Sequence, residues 1–267
     1  MAASSAAPPA SPGAEERLEP WIYGAVLALL VAAAWVGLQL AQAAGRDGWL
    51  SHSTLGEAGA LSATRVLGFL AAWLLMSVAM MLPSTFPLVR VFLTITGGSA
   101  GLLALLCVGY LAVWTLFGAG ALVADAGLHR IVEGSAWVSA RPERLPGALL
   151  LVAGLFQFSP LKYSCLRQCR SPVGFVIHHW RGAWRALRAF RIGALHGVYC
   201  VGCCWVLMLV MFAVGGAQLG WMLALAAVMF VEKAVSWGRM ATRGVGVVLT
   251  VWGLGLLFGV PGIPRPF

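Results

Sequence analysis

Runs of about 20 consecutive apolar residues dominate this chain, and each is long enough to cross a hydrocarbon core of roughly 30 Å. Hydrocarbon offers no water to backbone N–H and C=O groups, so segments that are apolar on every side must close their hydrogen bonds internally, as helices. Seven segments of this kind occupy residues 21–44, 66–82, 100–123, 146–158, 193–215, 219–235 and 244–260. The expected fold is therefore all-α, a polytopic transmembrane bundle of about seven spans forming a single domain over residues 21–262. The fourth segment is the shortest. A further patch at 86–95, carrying Arg90, is too short to span and reads as an interfacial helix. A membrane β-barrel, which needs short segments alternating apolar with polar, does not fit these runs. Nor does a soluble globular domain: charged residues make up 10% of the chain, against about 25% in soluble domains. Residues 1–20 are rich in Ala, Ser and Pro and too poor in large apolar groups to order themselves, so they read as a disordered tail.

The charge balance sets the orientation. The chain carries 18 Lys+Arg against 9 Asp+Glu, a net charge of +9, which in a membrane protein points to cytoplasmic loops rather than to nucleic acid. The loop 161–192 is the most basic, with Lys162, Arg167, Arg170, Arg181, Arg185, Arg188 and Arg191. Placing it inside puts 12 basic residues on the cytoplasmic side and six outside. The amino terminus is then cytoplasmic, the carboxyl terminus external, and the partner is the lipid bilayer. Within this loop HHWRGAWRALRAFR, containing His178 and His179, reads as an amphipathic surface helix on anionic lipid.

Chemistry concentrates in the cysteines. Five of the six (Cys165, Cys169, Cys200, Cys203 and Cys204) fall within about 40 residues, Cys107 standing apart. In the fifth segment His196, Cys200, Cys203 and Cys204 occur at i, i+4, i+7 and i+8, one stripe of one helix. A histidine inside a span is costly and points to ligation or redox work. Gly193, Gly197 and Gly202 alongside mark a close helix contact. Cys165 and Cys169, four apart after Pro160, share a face if that stretch is helical, and the neighbouring Lys162, Arg167 and Arg170 would favour their thiolates. The charge count brings this pair and the stripe to the same inner end, so the fourth and fifth segments are expected to be neighbours forming one site near the cytoplasmic face.

Met76, Met80 and Met81, in WLLMSVAMMLPS of the second segment, are expected at that same end. Alone they read as core; beside thiolates they complete a soft donor set that selects Cu(I), with Zn as the alternative suited to Cys and His. Glu232 and Lys233, ending the sixth segment, read as an interfacial ion pair with a snorkelling lysine. His52 and His129 are isolated. No P-loop, GxSxG, HExxH or paired-carboxylate constellation occurs, and Asp47 and Asp125 are the only aspartates, which argues against a hydrolytic enzyme.

WLLMSVAMMLPS, FQFSPLKYSCLRQCRSPVGF, GALHGVYCVGCCWVLMLVMFAVGG and VEKAVSWG together resemble the DUF2182 family of bacterial proteins, described as predicted metal-binding integral membrane proteins. The resemblance covers roughly residues 65–240 and implies a helical fold in the bacterial inner membrane. It also implies a metal site at Cys165, Cys169, His196, Cys200, Cys203 and Cys204, with Met76, Met80 and Met81 in the signature. Gln168 stands where a further donor such as His would be expected between the loop cysteines. Three functions compete: a carrier or metallation accessory for copper(I) or another soft metal, serving a membrane metalloenzyme or metallochaperone; a membrane thiol–disulfide oxidoreductase; and a non-catalytic assembly subunit. The oxidoreductase needs cysteines on the oxidising side, whereas the charge count puts these on the cytoplasmic side.

Overall fold

The computed structural model describes residues 20–44, 62–133, 144–213 and 219–264, and every regular element among them is helical. The expected amino-terminal tail (apart from Pro20) and His52 lie outside the described residues. Helices α1 (Pro20–Ala43) and α2 (Ala63–Met81) are followed by a 3₁₀ turn (Leu82–Thr85), α3 (Phe86–Thr96) and α4 (Ala100–Glu133). Then come α5 (Arg144–Phe156), α6 (Pro160–Arg170), α7 (Pro172–His179), α8 (Arg185–Ala213), α9 (Leu219–Ala234) and α10 (Gly238–Phe258). Each of the seven apolar segments is thus helical over most of its described residues. Five stretches are long and apolar enough to cross a membrane: Ile22–Ala43, Ala63–Thr96, Ala100–Leu128, Arg185–Met211 and Gly238–Phe258.

The other two segments fall short for different reasons. Helix α5 has 13 residues and breaks by 63° into α6, the pair making a sixth candidate span if taken together. At the break Ser159 caps α6, its hydroxyl accepting from the Lys162 amide at 3.1 Å, and Pro160 opens the helix where no amide donor is needed. Helix α9 has 16 residues, about 24 Å at the usual rise.

Two expectations about the connecting segments change. The patch 86–95 is a helix, as expected, but not a detached one: Pro83 diverts α2 through one 3₁₀ turn, and the chain continues directly in α3 to Thr96. Gly97, at φ 71°, stops it there in a left-handed conformation that glycine adopts without strain. The basic run after His178 is not one surface helix either. Gly182 (φ 96°) and Trp184 (φ 69°) interrupt it, and Arg185, Arg188 and Arg191 belong to the first two turns of α8. That helix begins early because Ala189 and Ile192, fully buried, continue its inward face against Phe92, Leu106 and Val176. Arg185 donates to the Thr96 carbonyl at 3.4 Å and so ties the start of α8 to the end of α3.

Glycines set the main helix contacts. On α8 a Cβ at Gly193 would collide with the Leu106 carbonyl, and one at Gly197 would stand 3.0 Å from Val113 Cβ. Since 106 lies by 193 and 113 by 197, α4 and α8 run parallel in close backbone contact. Helix α2 runs antiparallel to α4: Trp73 Nε1 donates to the Trp114 carbonyl at 2.9 Å, while Met81 lies by Tyr110.

Candidate metal centre

The stripe on α8 faces inward. His196, Cys200, Cys203 and Cys204 are all buried, at 3%, 0%, 1% and 1% exposure, so none of the thiols is presented to lipid. The Cys203 and Cys204 thiols lie 3.1 and 2.9 Å from the Cys200 carbonyl one turn back, which holds them against their own helix. Across the interface the Cys204 thiol approaches the Met81 Sδ of α2 at 3.9 Å. The Tyr110 hydroxyl of α4 stands 3.1 Å from Cys200 Sγ.

The loop pair joins this cluster, as expected. Cys165 and Cys169 both lie on the buried face of α6. Cys165 Sγ packs in the space left by Gly202, 2.6 Å from where a Cβ would be, and the Cys169 and Cys203 side chains hydrogen-bond to each other. The fourth and fifth segments are therefore neighbours, with α6 folded across α8. Gln168 is exposed on the opposite face of α6. Met76 and Met80, each 2% exposed, belong to the same core cluster as the thiols and Met81.

The charges are arranged otherwise than expected. Glu232 and Lys233 do not pair at an interface; both are buried, and they point to different partners because adjacent positions on a helix differ by about 100°. Glu232 accepts from Lys162 Nζ at 2.7 Å, with the two side chains 2% and 0% exposed. Lys162 is thereby committed, Arg170 donates to the carbonyls of Glu232 and Ser236 at 2.7 and 3.2 Å, and Arg167 is exposed. None of the three basic residues of α6 is the counter-charge of the cysteines.

That place belongs to Lys233. Its ammonium donates to Cys200 Sγ at 2.9 Å and to Ser84 Oγ at 3.3 Å, and lies 3.9 Å from Met81 Sδ. A cation thus already sits among the soft donors, and it is not one that the loop sequence suggested. The adjacent Glu-Lys in an apolar helix was the available signal. For Tyr110, inside an apolar run, there was none.

His196 sits one turn before Cys200, its ring 5.8 Å from that of Tyr110 and 5.9 Å from that of Phe175. Its buried Nδ1 has no hydrogen-bond partner, an unmet nitrogen of the kind a ligand would satisfy. His178 and His179 end α7 one ring away from His196: His179 packs on Phe175, which also contacts His196, and its Nδ1 is on the Phe175 carbonyl at 2.8 Å. The site is also set deeper than the ends of the helices. Gly24 of α1 packs on Phe86 and Gly37 on Leu75, so Met81, between these contacts, is level with the middle of α1. The reason is that the second segment does not end at Pro83.

Among the described residues, no three His, Cys, Asp or Glu side chains converge on one point as a closed zinc site requires. What converges is mixed: the thiols of Cys200 and Cys204 with the thioether of Met81, donors that suit Cu(I).

The family model that matches this sequence, over residues 70–256, is that of PpoB2, described as a copper chaperone. The chain belongs to this copper chaperone family. The matched region starts within α2 and ends within α10, and it holds every donor named above. No curated protein and no solved structure matches the chain.

Proposed function

We propose that this protein is an integral membrane copper chaperone that holds Cu(I) as cargo between Cys200, Cys204 and Met81, with Cys203, Cys169, Cys165 and His196 as the donors that receive or release it. The observation that carries this reading is the meeting of thiol and thioether across two helices, Cys204 Sγ to Met81 Sδ, beside a second thiol already engaged by a cation. Thiolates and thioethers are soft, and together they discriminate against harder ions. Met80 and Met76 extend the donor set along α2.

The membrane setting follows from the five long apolar helices; the seven-span reading adds α9 and the α5–α6 pair. The 12 to six split of basic charge supports a cytoplasmic amino terminus. The resemblance to DUF2182 supports the bacterial inner membrane and a metal site on these cysteines. The recipient of the cargo is a membrane metalloenzyme or a metallochaperone that docks at the cytoplasmic side.

The test is metal analysis of the purified full-length protein in detergent under reducing conditions. Wild type is expected to bind Cu(I) with sulfur-only X-ray absorption neighbours near 2.3 Å, about the usual metal–thiolate distance. Cys200→Ser with Cys204→Ser should lose copper by at least about a hundredfold in affinity, and Met81→Leu by less, since a thioether brings no charge. Zinc held in preference to copper, or copper unaffected by the double substitution, would overturn the reading.

A second reading has one observation in its favour. Cys169 and Cys203 stand in hydrogen-bond contact on different helices, a pair able to form a disulfide between α6 and α8. A thiol–disulfide oxidoreductase would oxidise that pair by exchange with an external disulfide, which leaves as a dithiol.

A further inference from the structure

The sulfur does not stop at the metal centre. Among the described residues seven methionines are buried, at 0–4% exposure: Met76, Met80 and Met81 on α2, Met208 and Met211 on α8, and Met222 and Met229 on α9. All seven lie in the one core cluster that contains Cys200, Cys203 and Cys204. The two other buried clusters, around Phe92 and Ile192 and around Tyr23 and Leu93, are built without methionine. The buried methionine is confined to that cluster, which is the largest of the three and the one that holds the buried thiols.

The helix directions place these residues in order. Cys200 contacts Lys233 and Cys204 contacts Met81, which fixes the level of α8, α9 and α2 at the thiols. Helix α9 follows α8 after five residues and returns antiparallel, so positions after 200 are matched by positions before 233. Helix α2 is antiparallel to α4, and α4 is parallel to α8, so positions before 81 rise toward the same end. By helical rise, Met229 and Met76 lie roughly 6–8 Å beyond the Lys233 and Met81 level, Met208 roughly 12 Å beyond Cys200, and Met211 and Met222 roughly 16 Å beyond. Along the bundle axis successive levels differ by about 4–6 Å. Toward the other end of α8 the donors thin to His196 and, on α4, the half-buried thiol of Cys107 beside Ile192 and Ala189, with the arginines beyond.

We propose that this ladder is a thioether path along which Cu(I) moves between the thiol centre and the end of the bundle where α8 finishes and α9 begins, so that the protein passes copper through the membrane as well as holding it. The proposal rests on the copper reading above. Each step is a ligand exchange: a bond from copper to the next thioether sulfur forms as a bond to the previous sulfur breaks. Copper remains Cu(I) and no electron or proton moves. Thioethers are neutral and hold Cu(I) less strongly than thiolates do, which lets the ion pass from one to the next and leaves the thiols as the resting place.

The test uses the full-length protein in liposomes, with Cu(I) supplied outside in reducing buffer and a membrane-impermeant chromogenic Cu(I) chelator inside. Wild type is expected to fill the lumenal chelator. Met208→Leu with Met222→Leu should slow that transfer at least tenfold while leaving equilibrium Cu(I) binding in detergent within twofold. Leucine conserves the packed volume, and Met211→Leu alone, at the last rung, should slow transfer to a smaller extent if the pair proves unstable. Transfer by the double variant at the wild-type rate would overturn the path. So would a wild type that binds copper through Cys200 and Cys204 but transfers none, and so would a double variant that loses equilibrium binding, which would place these methionines in the holding site. Copper binding that ignores the cysteines would instead bring down the chaperone site itself.

Discussion

Two interfaces of the bundle, α5 with α10 and α2 with α8 and α9, bury comparable elements in opposite ways. Between α5 and α10 the backbones meet at glycines: a Cβ on Gly253 would stand 2.5 Å from the Leu151 amide nitrogen and 2.7 Å from the Gly147 carbonyl. The hydroxyls there are spent locally, Thr242 on the Gly238 carbonyl at 2.9 Å and Thr250 on Gly246 at 2.7 Å. Where α2, α8 and α9 meet, the polar groups reach across the chain instead, from Lys233 to Cys200 and Ser84, from Tyr110 to Cys200 and from Lys162 to Glu232. That side also leaves His196 Nδ1 and Glu232 Oε1 without partners. The first interface is closed at its glycines, although the buried Gln157 amide beside Gly246 is also without a partner. What sets the second apart is its soft donors: buried thiols and thioethers gathered in one cluster, with the unpartnered imidazole of His196 a turn away, groups that suit a soft metal.

The strongest way to break the comparison is to attack the closed side. Gly253→Leu sets a side chain against backbone atoms that cannot move aside, so α5 and α10 must part. A loss of more than about 4 kcal/mol is expected, in the range reached only by severe core defects. Thermal unfolding in detergent would show it as a large drop or as absence of folded protein, while any folded fraction keeps its copper. A normally stable variant with impaired copper binding would mean the two interfaces are not separable.

The open side is sharpened through Lys233. Its ammonium occupies the sulfur that the cargo needs, so Cu(I) must displace a charge-assisted hydrogen bond worth about 1.5–3 kcal/mol. Lys233→Met, which keeps an unbranched chain and adds a thioether, should tighten Cu(I) binding by about tenfold or more, roughly 1.4 kcal/mol, and slow release to a competing chelator. Weaker binding in this variant would show that the lysine serves to balance the charge of the loaded thiolates.

How much of this was legible in the sequence follows from which interactions are local. The helices were, because apolar runs must close their own backbone hydrogen bonds. The stripe His196, Cys200, Cys203 and Cys204 was, because i, i+4 neighbours share a face whatever the helix packs against. Gly193, Gly197 and Gly202 announced close contacts, though not that the last would receive Cys165. The partners of the charges were not legible. Glu232 adjoins Lys233 in sequence but takes Lys162, 70 residues away, because adjacent helical side chains diverge. The junction of α2 with α3 and the start of α8 were not legible for a related reason: Pro83 reads as a stop, and arginines read as a surface, until Ile192 and Ala189 are seen packed beneath them.

The smallest expected effect concerns Gln168, the position where another donor was anticipated. Residues 165 and 169 face α8, and 168, one position short of Cys169, turns about 100° away to the exposed side of α6. A histidine there presents its imidazole to the surroundings rather than to the thiols. Gln168→His should therefore leave Cu(I) affinity within twofold and stability within about 0.5 kcal/mol, as an exposed substitution normally does. Competition against a chromogenic Cu(I) chelator measures the first and thermal unfolding the second. A clear gain in affinity would mean that α6 rotates when copper is loaded and brings its outer face to the metal, in which case the open interface is a moving one and Cys165 and Cys169 give up their present contacts with Gly202 and Cys203.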